Sequence, residues 1–336
     1  MKLYAISGVT GMTGNELARQ ILKRSDAVVG FDNFFCSSIK TVEDLMGNSN
    51  FRFFEYDLNN PEHMQLFEEM ILEIKDNYEE IIYINCAAVV HTEYFYHVYD
   101  TFDTNVIAMK NFMEQAIRVG ASKYINCSTS EVYSMNSWNE SGGMREEDYL
   151  LMASAEHSQR TSYAAGKLMT EFFMMDAVSN GKILGCSIRF ANVYSHNELY
   201  PKHIIPHIIN SLKKDGSVVL LENSKVNRRT FLNNYDSCSA VLALTDTDSA
   251  LDGSVYNVAT EEEISIVDLV HLCAKKMKID NPQIHFEGYR KSDPERRLLS
   301  TEKLRQRTGW KSEITLDKGL DACIQSYMDM EGEKPK

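Results

Sequence analysis

Ser7-Gly8-Val9-Thr10-Gly11-Met12-Thr13-Gly14 decides the reading of this chain. An apolar run at 3–6 precedes it and an amphipathic stretch at 15–23 follows, so the glycines stand where a first strand turns into a first helix. Each has a physical use there. Gly8 takes the tight turn, Gly11 lets backbone N–H groups approach a pyrophosphate, and Gly14 allows the helix to close on the strand. Thr10, Met12 and Thr13 lie between them at the positive end of the helix dipole, where an anion is stabilised. Three glycines alone make a weak pattern, and the flanking sequence has to support it.

Asp32 does so. It closes the next apolar run, 27–31, eighteen residues after Gly14. A carboxylate there accepts hydrogen bonds from the adenosine ribose 2′-OH and repels a 2′-phosphate, which favours NAD over NADP. Asn33 follows directly, and Asp57-Leu58 ends a third run, 51–56, within reach of the adenine edge. Further runs at 81–86, 124–127 and 184–190 alternate with helical periodicity at 61–74, 106–119 and 163–178. Pro61 fits a first-turn position, where its missing N–H costs nothing. This alternation implies βαβ crossovers, hence an α/β fold with a doubly wound parallel sheet of Rossmann type. After 190 the rhythm loosens, with helical stretches at 204–214 and 266–276 and isolated runs at 218–221 and 284–286. The expected division is a dinucleotide-binding domain over 1–190 and a smaller C-terminal substrate lobe over 191–330, with some chain returning to the sheet.

Composition narrows the function classes. The chain has 336 residues, 43% hydrophobic and 25% charged, enough for a sizeable core. Its net charge of −13 argues against general nucleic-acid binding and against an anionic membrane surface. No run is long enough for a signal peptide or a membrane span. Seven scattered cysteines without a CxxC pair fit reduced thiols, and the expected location is the cytoplasm. His203 and His207 are four apart, but Pro206 interrupts them and no HExxH follows, so no metal site is expected.

Two segments carry candidate chemistry. Tyr163-Ala-Ala-Gly-Lys167 puts a phenol and an ammonium on one helix face, where the charge favours tyrosinate and makes Tyr163 a usable base. Cys127-Ser128-Thr129-Ser130-Glu131-Val132-Tyr133 follows the apolar run around 124–125, at a strand's C-terminal end, where open α/β sheets bind ligands.

The ordered set of Gly8, Gly11 and Gly14, Asp32, Asp57-Leu58, Ala87-Ala88, Asn105, the segment 129–133, Tyr163 with Lys167, and 189–194 resembles the extended short-chain dehydrogenase/reductase family. More narrowly it is similar to the NAD-dependent nucleotide-sugar epimerases, dehydratases and decarboxylases. Arg229-Thr230-Phe231 with Asp236, Val255–Val258 (255–258), Asp293-Pro294 with Arg297, and 304–310 extend the resemblance over nearly the whole chain. The resemblance implies that Tyr163 takes the proton from the sugar C4 hydroxyl as C4 is oxidised. Lys167 would hydrogen-bond the nicotinamide ribose, and Thr129 would align the C4 oxygen. It places Ala87, Ala88 and Asn105 beside the cofactor, and Ser130 and Asn192 beside the substrate. It also makes Arg229 and Arg297 clamps on the diphosphate, a task suited to planar guanidinium. The implied ligand is a nucleotide diphospho-sugar, with a UDP-sugar first, and the implied assembly is a homodimer through the helices at 105–119 and 163–178.

Glu131 divides the branches. A dehydratase needs a base at C5, decarboxylases of nucleotide-linked uronic acids also carry Thr-Ser-Glu, and epimerases usually have a small residue there. Dehydratase or decarboxylase is therefore preferred, with 4-epimerase and a catalytically silent NAD sensor as alternatives. The chain departs from the family at Asn85, Ser134, Ser195, Asn223-Ser224-Lys225 and Ser300, mostly around the substrate lobe. His91 and Glu93 follow the Ala87-Ala88 turn and are weighed as bordering the site without being counted among its residues, and His196 and His203, in a substrate-lobe loop, are read as solvated. The aromatics at 94–99 are read as packing against a lid or a neighbouring subunit, and 135–162, with Trp138, as a cap. The Asp32 reading has a direct test: NAD binds more tightly than NADP, and Asp32→Ala weakens NAD binding by roughly 2- to 12-fold, the loss of ~0.5–1.5 kcal/mol. Equal affinity for the two cofactors would show that Asp32 does not face the 2′ position.

Overall fold

The first strand, β1 (Lys2–Ser7), is buried on both faces, and its side chains divide by parity. Tyr4 and Ile6 point into one apolar cluster, Leu3 and Ala5 into another, as the two-residue period of a strand dictates. The same holds for β2 (Ala27–Asp32), while the edge strand β3 (Phe51–Glu55) is only partly buried. It holds again for β4 (Glu80–Asn85) and β5 (Lys123–Thr129), and β6 (Leu184–Phe190) gives Cys186 and Ile188 to the first cluster. A seventh strand, Asp252–Val258, completes the sheet next to β6. In this computed structural model, which describes residues 1–135, 142–198, 200–291 and 293–329, the sheet order is β3-β2-β1-β4-β5-β6 and then Asp252–Val258. Every neighbouring pair is parallel. Both faces must then be covered, and they are.

The helices Met12–Lys23 and Asn234–Thr245 cover one face, packing Leu17, Ile21, Val241 and Leu244 onto Tyr4, Val28 and Ile82. On the other face Pro61–Ile74, Met109–Val119 and Thr161–Ser179 bring Phe67, Phe112 and Met174 onto Phe31, Tyr83 and Tyr124. Pro61 occupies the first helical position, and Asn60 caps the helix by accepting from the backbone N–H of Glu62 at 2.9 Å. A third cluster, with Ile208, Leu212, Val218, Leu269, Cys273 and Leu320, forms the core of a smaller lobe above the strand ends.

Most expected elements are present, with shifts that have local causes. The third strand stops at Glu55, one residue early, because the backbone N–H of Tyr56 turns back to the Phe54 carbonyl. The helix expected over 106–119 is preceded by helical chain from Val98, with a widened π-type turn at Asp103–Ala108. The strand Asp252–Val258 was not among the expected strands, and the residues that return to the sheet include it and the helix Asn234–Thr245. Of the expected cap over 135–162, residues 136–141 with Trp138 lie outside the described residues.

Order 3-2-1-4 reverses direction between β1 and β4, and crevices for ligands open at such a point. The glycine turn sits there. Gly8 has φ +69°, and a Cβ on it would lie 2.7 Å from the Ala87 nitrogen. A Cβ at Gly14 would lie 2.2 Å from the Gly8 carbonyl oxygen, so the helix can approach the turn only as glycine. Gly14→Ala is therefore expected to lower stability by about 1–3 kcal/mol through forced backbone movement, and to weaken NAD binding. Urea unfolding and a NAD titration check both, and parental values in the two would refute the close approach.

Candidate active site

A cavity of about 520 Å³ opens over the C-terminal ends of β1, β2 and β4. Gly8, Thr10, Gly11, Met12, Thr13 and Gly14 line it, with Asp32, Asn33, Asp57, Leu58, Ala87 and Ala88. Gly11 occupies the N-cap without a side chain, and the first turn of Met12–Lys23 carries no acidic group. Its free N–H groups and dipole therefore face the cavity uncompensated. Asp32 accepts from the backbone N–H of Phe34 at 2.9 Å, from that of Thr10 at 3.3 Å and from the Ser37 hydroxyl at 3.1 Å. These bonds fix the carboxylate at the cavity wall. Two carboxylate oxygens offer about four acceptor sites, so room remains for a ribose hydroxyl. The Lys167 Nζ is buried and has no hydrogen-bond partner among the described residues. A hydroxyl-bearing ligand would supply what that ammonium lacks. Cradle, dipole, carboxylate and orphaned ammonium fit an adenine dinucleotide.

Asn105 is placed differently. Its amide donates to the Val89 carbonyl at 2.9 Å and accepts from the Val89 N–H at 2.7 Å. It does not line the cavity but clamps the loop that follows Ala87-Ala88. Asn85, which stands where a histidine was expected, accepts from the Ser7 hydroxyl at 2.6 Å and ties β4 to β1.

A second cavity, about 590 Å³, adjoins the first and is lined by Thr129, Glu131 and Tyr163, while Lys167 lies buried behind the walls and lines neither cavity. Thr129 ends β5, and Ser130 and Glu131 follow in the short turn Ser130–Tyr133. Tyr163 enters from the first turn of Thr161–Ser179 and lines the same cavity as Thr129. Burial, with the Glu131 charge nearby, pushes its phenol well above the ordinary range. This differs from the sequence expectation: Lys167 is itself driven down by burial, and it is not what governs the Tyr163 phenol in the bare chain. The ring of Phe95 lies flat on the Tyr163 ring, with centroids 4.3 Å apart and an interplanar angle of 7°. Phe95, within the aromatic stretch expected to meet a lid or another subunit, thus packs on Tyr163.

Glu131 is clamped. Arg297 donates to its Oε1 at 2.7 Å and Arg160 donates to the same oxygen at 3.0 Å. Burial works to raise this carboxyl, but the Arg297 and Arg160 charges outweigh it and hold the group at about 2. Such a carboxylate stays ionised and is a poor proton acceptor near neutrality. Arg297, expected on a diphosphate, is thus bound to Glu131, while its Nε is buried without a partner. Arg229 pairs with Asp293 at 3.2 Å, and burial together with neighbouring Arg297 brings it down to about 10. Asn192, at φ +40°, lines the same cavity with its Nδ2 buried and unpartnered.

Sequence reading missed Arg160, Arg290 and Phe95, all on this cavity. Arg160 lies three residues before Tyr163, a helical neighbour spacing that offered a signal. His91 lines the first cavity and stacks on Tyr200 at 3.7 Å, whereas Glu93, which receives the Lys202 ammonium at 3.2 Å, lines neither cavity. His203 lines both cavities and is hydrogen-bonded to Glu198. No group of three or more metal-ligating side chains, and no helix long and apolar enough to cross a membrane, occurs among the described residues.

The sequence profile described as GDP-mannose 4,6 dehydratase matches residues 5–323, and the chain belongs to that family. It is thereby an NAD-dependent nucleotide-sugar enzyme of the extended short-chain dehydrogenase/reductase type. It is 25% identical to a dTDP-D-glucose 4,6-dehydratase of Mus musculus over 309 residues, 89% of this chain and 81% of the relative. It is 24% identical to UDP-glucuronic acid decarboxylase 1 of Arabidopsis thaliana over 330 residues, 96% of this chain and 69% of that one. The fold matches a UDP-glucuronic acid 4-epimerase from Bacillus cereus, solved with UDP-glucuronic acid and NAD, at a TM-score of 0.84 and 20% identity over 98% and 100% of the two chains. It also matches a dTDP-glucose 4,6-dehydratase from Streptomyces venezuelae with NAD bound, at 0.83 and 18% identity, covering 98% of each chain.

The Glu131 ion pair has a pH signature. An unfolded glutamate titrates near ~4.3, and the folded one near 2, so the stability it contributes is full above ~pH 5 and is lost as pH falls towards 2. The parent's Tm should therefore fall more steeply over that window than that of Glu131→Gln, which starts lower at pH 7. Parallel curves would show that the clamp does not form in solution.

Proposed function

We propose that this enzyme decarboxylates a nucleotide-linked uronic acid, with a UDP-uronate as substrate, after oxidation at the sugar C4. The observation that carries the reading is the convergence of Arg160 and Arg297 on one oxygen of Glu131, beside Thr129 and Tyr163. Two guanidiniums against one carboxylate leave a positive charge over at the reacting end, and the Arg297 Nε is an unused buried donor. A sugar carboxylate complements both. Dehydration asks for something else: a base at C5 and an acid for the departing C6 oxygen. Glu131 is held ionised near 2 and Ser130 is no acid, so neither group suits those tasks.

In this reading residues 1–190 hold the cofactor and 191–330 mainly the nucleotide diphosphate. NAD, when bound, takes up the two electrons released at C4. Tyr163 accepts the C4 hydroxyl proton, Thr129 holds the C4 oxygen, and Lys167 meets the nicotinamide ribose. The 4-ketone makes the C6 carboxylate that of a β-keto acid. Its C5–C6 bond then breaks and carbon dioxide departs, leaving the electron pair on the C4–C5 enolate. C5 takes a proton from water, and C4 regains the two electrons as Tyr163 returns its proton to the C4 oxygen, which leaves a nucleotide-linked pentose. Arg160 and Arg297 hold the carboxylate in line for the C5–C6 cleavage, and Glu131 keeps the two arginines in place. Arg229, Arg290 and Asn192 face the diphosphate.

A homodimer in the cytoplasm completes the proposal. The packed helices at 98–119 and Thr161–Ser179 expose Phe102, Ile107, Met169, Phe172 and Met175, an apolar face suited to a second copy. The cysteines are all unpaired, as in a reducing compartment.

UDP-glucuronic acid incubated with the NAD-loaded enzyme should release carbon dioxide, and Tyr163→Phe should reduce that release by ~10²–10⁴-fold while retaining nucleotide binding. Formation of a 6-deoxy-4-keto product with solvent deuterium at C5 from a dTDP- or GDP-hexose, without carbon dioxide from the uronate, would replace this reading by a dehydratase. A product inverted at C4 alone would replace it by an epimerase.

A further inference from the structure

We infer that Phe95 is the positioning residue for the Tyr163 base: its ring, laid on the phenol, fixes where the hydroxyl points and keeps water from it. The inference rests on Tyr163 acting at C4.

The helix Thr161–Ser179 begins without a side-chain cap: its first N–H groups bond back to the Ser158 and Gln159 carbonyls, Arg160 at the N-cap position makes no cap, and the first turn has no acidic residue to offset the dipole. Tyr163 is the third residue of that turn. Phe95 adds a side-chain restraint from 68 positions away, meeting three of the four residues 160–163. Its ring stacks on Tyr163 at 4.3 Å, the Arg160 guanidinium lies over the same ring at 5.8 Å, and the Ser162 hydroxyl donates to the Phe95 carbonyl at 3.0 Å. Phe95 is 2% exposed and lines the same cavity as Thr129 and Tyr163. Its own segment, Thr92–Tyr96, is fastened in turn: Glu93 bonds Tyr200 and Lys202, and the Thr101 hydroxyl donates to the Tyr94 carbonyl at 2.9 Å. The restraint is therefore stiff.

The electrostatic consequence follows from what faces the phenol. Cys127 approaches from β5, Glu131 from the turn after it, and Arg160 from the position before the helix of Tyr163. Thr129 lines the same cavity. The 92–96 segment contributes only an uncharged ring on this side. Phe95 therefore removes water without supplying a charge, and it disfavours the tyrosinate until bound cofactor and substrate complete the surroundings.

The test uses full-length enzyme loaded with NAD. Tyrosine labelled with ¹³C at Cζ, with the Tyr163 signal assigned through Tyr163→Phe, reports the phenol's titration without any substrate. Turnover of UDP-glucuronic acid gives kcat and KM separately. Phe95→Ala should move the Tyr163 titration to lower pH and cut kcat ~10-fold or more, with KM within ~2-fold. A titration that stays at the parental pH overturns the inference, as does a loss confined to KM, which would make Phe95 only a wall of the sugar pocket. Where Phe95→Ala does not fold, Phe95→Leu, which keeps the apolar volume without a flat ring face, is expected to show the same kcat-confined loss, and a parental kcat overturns the inference. A parent inactive on UDP-glucuronic acid would be a failure of the uronate reading alone, since the titration still decides the role of Phe95.

Discussion

The glycine turn and the end of β4 are in van der Waals contact, and little at the site can be moved without disturbing that contact. A Cβ on Gly8 would stand 2.7 Å from the Ala87 nitrogen, and the Ser7 hydroxyl bonds Asn85 while accepting from the Ala87 N–H at 3.2 Å. The first strand, the turn and the loop after β4 therefore form one rigid corner. Everything that surrounds the cofactor cavity is measured from it: the uncapped helix start, the Asp32 carboxylate one strand over, and the Val89 loop held by Asn105. Because the sheet is parallel, β5 delivers Thr129 to the same edge, one strand beyond β4.

The second half of the site has a different physical basis. Its charged groups are brought together from separated parts of the chain and hold one another by pairing. Glu131 without its arginines would be an isolated buried anion, and either arginine without Glu131 an isolated buried cation. The cluster is stable as a set, and it still presents an excess of positive charge to whatever enters. Binding a carboxylate there adds a partner that the arginines lack, whereas removing Glu131 would leave them mutually repelling. This explains how a negatively charged residue can favour an anionic substrate.

How much was legible follows from the range of each interaction. The glycine turn, Asp32, the Tyr163–Lys167 spacing and the alternating strands depend on neighbours in sequence, and sequence patterns carried them. The seventh strand was less legible, because its partner β6 lies far back in the chain and its burial comes from helices on either side. Arg297 was recognised, but its bond to Glu131 was not legible, since it spans 166 positions and nothing local points to it. Arg290 and Phe95 were missed for the same reason. Asn105 was legible as a polar residue near the cofactor, but not as one whose amide is wholly engaged by a backbone loop.

The seventh strand also governs how this molecule could be divided. Residues 252–258 pair with β6 after the chain has already built much of the smaller lobe, and Val241, Leu244, Tyr256 and Val258 fill the first apolar cluster. A chain ending at 190 would leave β6 as an open edge, with hydrogen-bonding groups and apolar side chains such as Ile188 available to other molecules. The two halves are therefore interlaced, and neither is a module that can be cut out. Transplanting residues 191–329 from a relative would also exchange a strand of the sheet and the part of its core that Val241, Leu244, Tyr256 and Val258 fill.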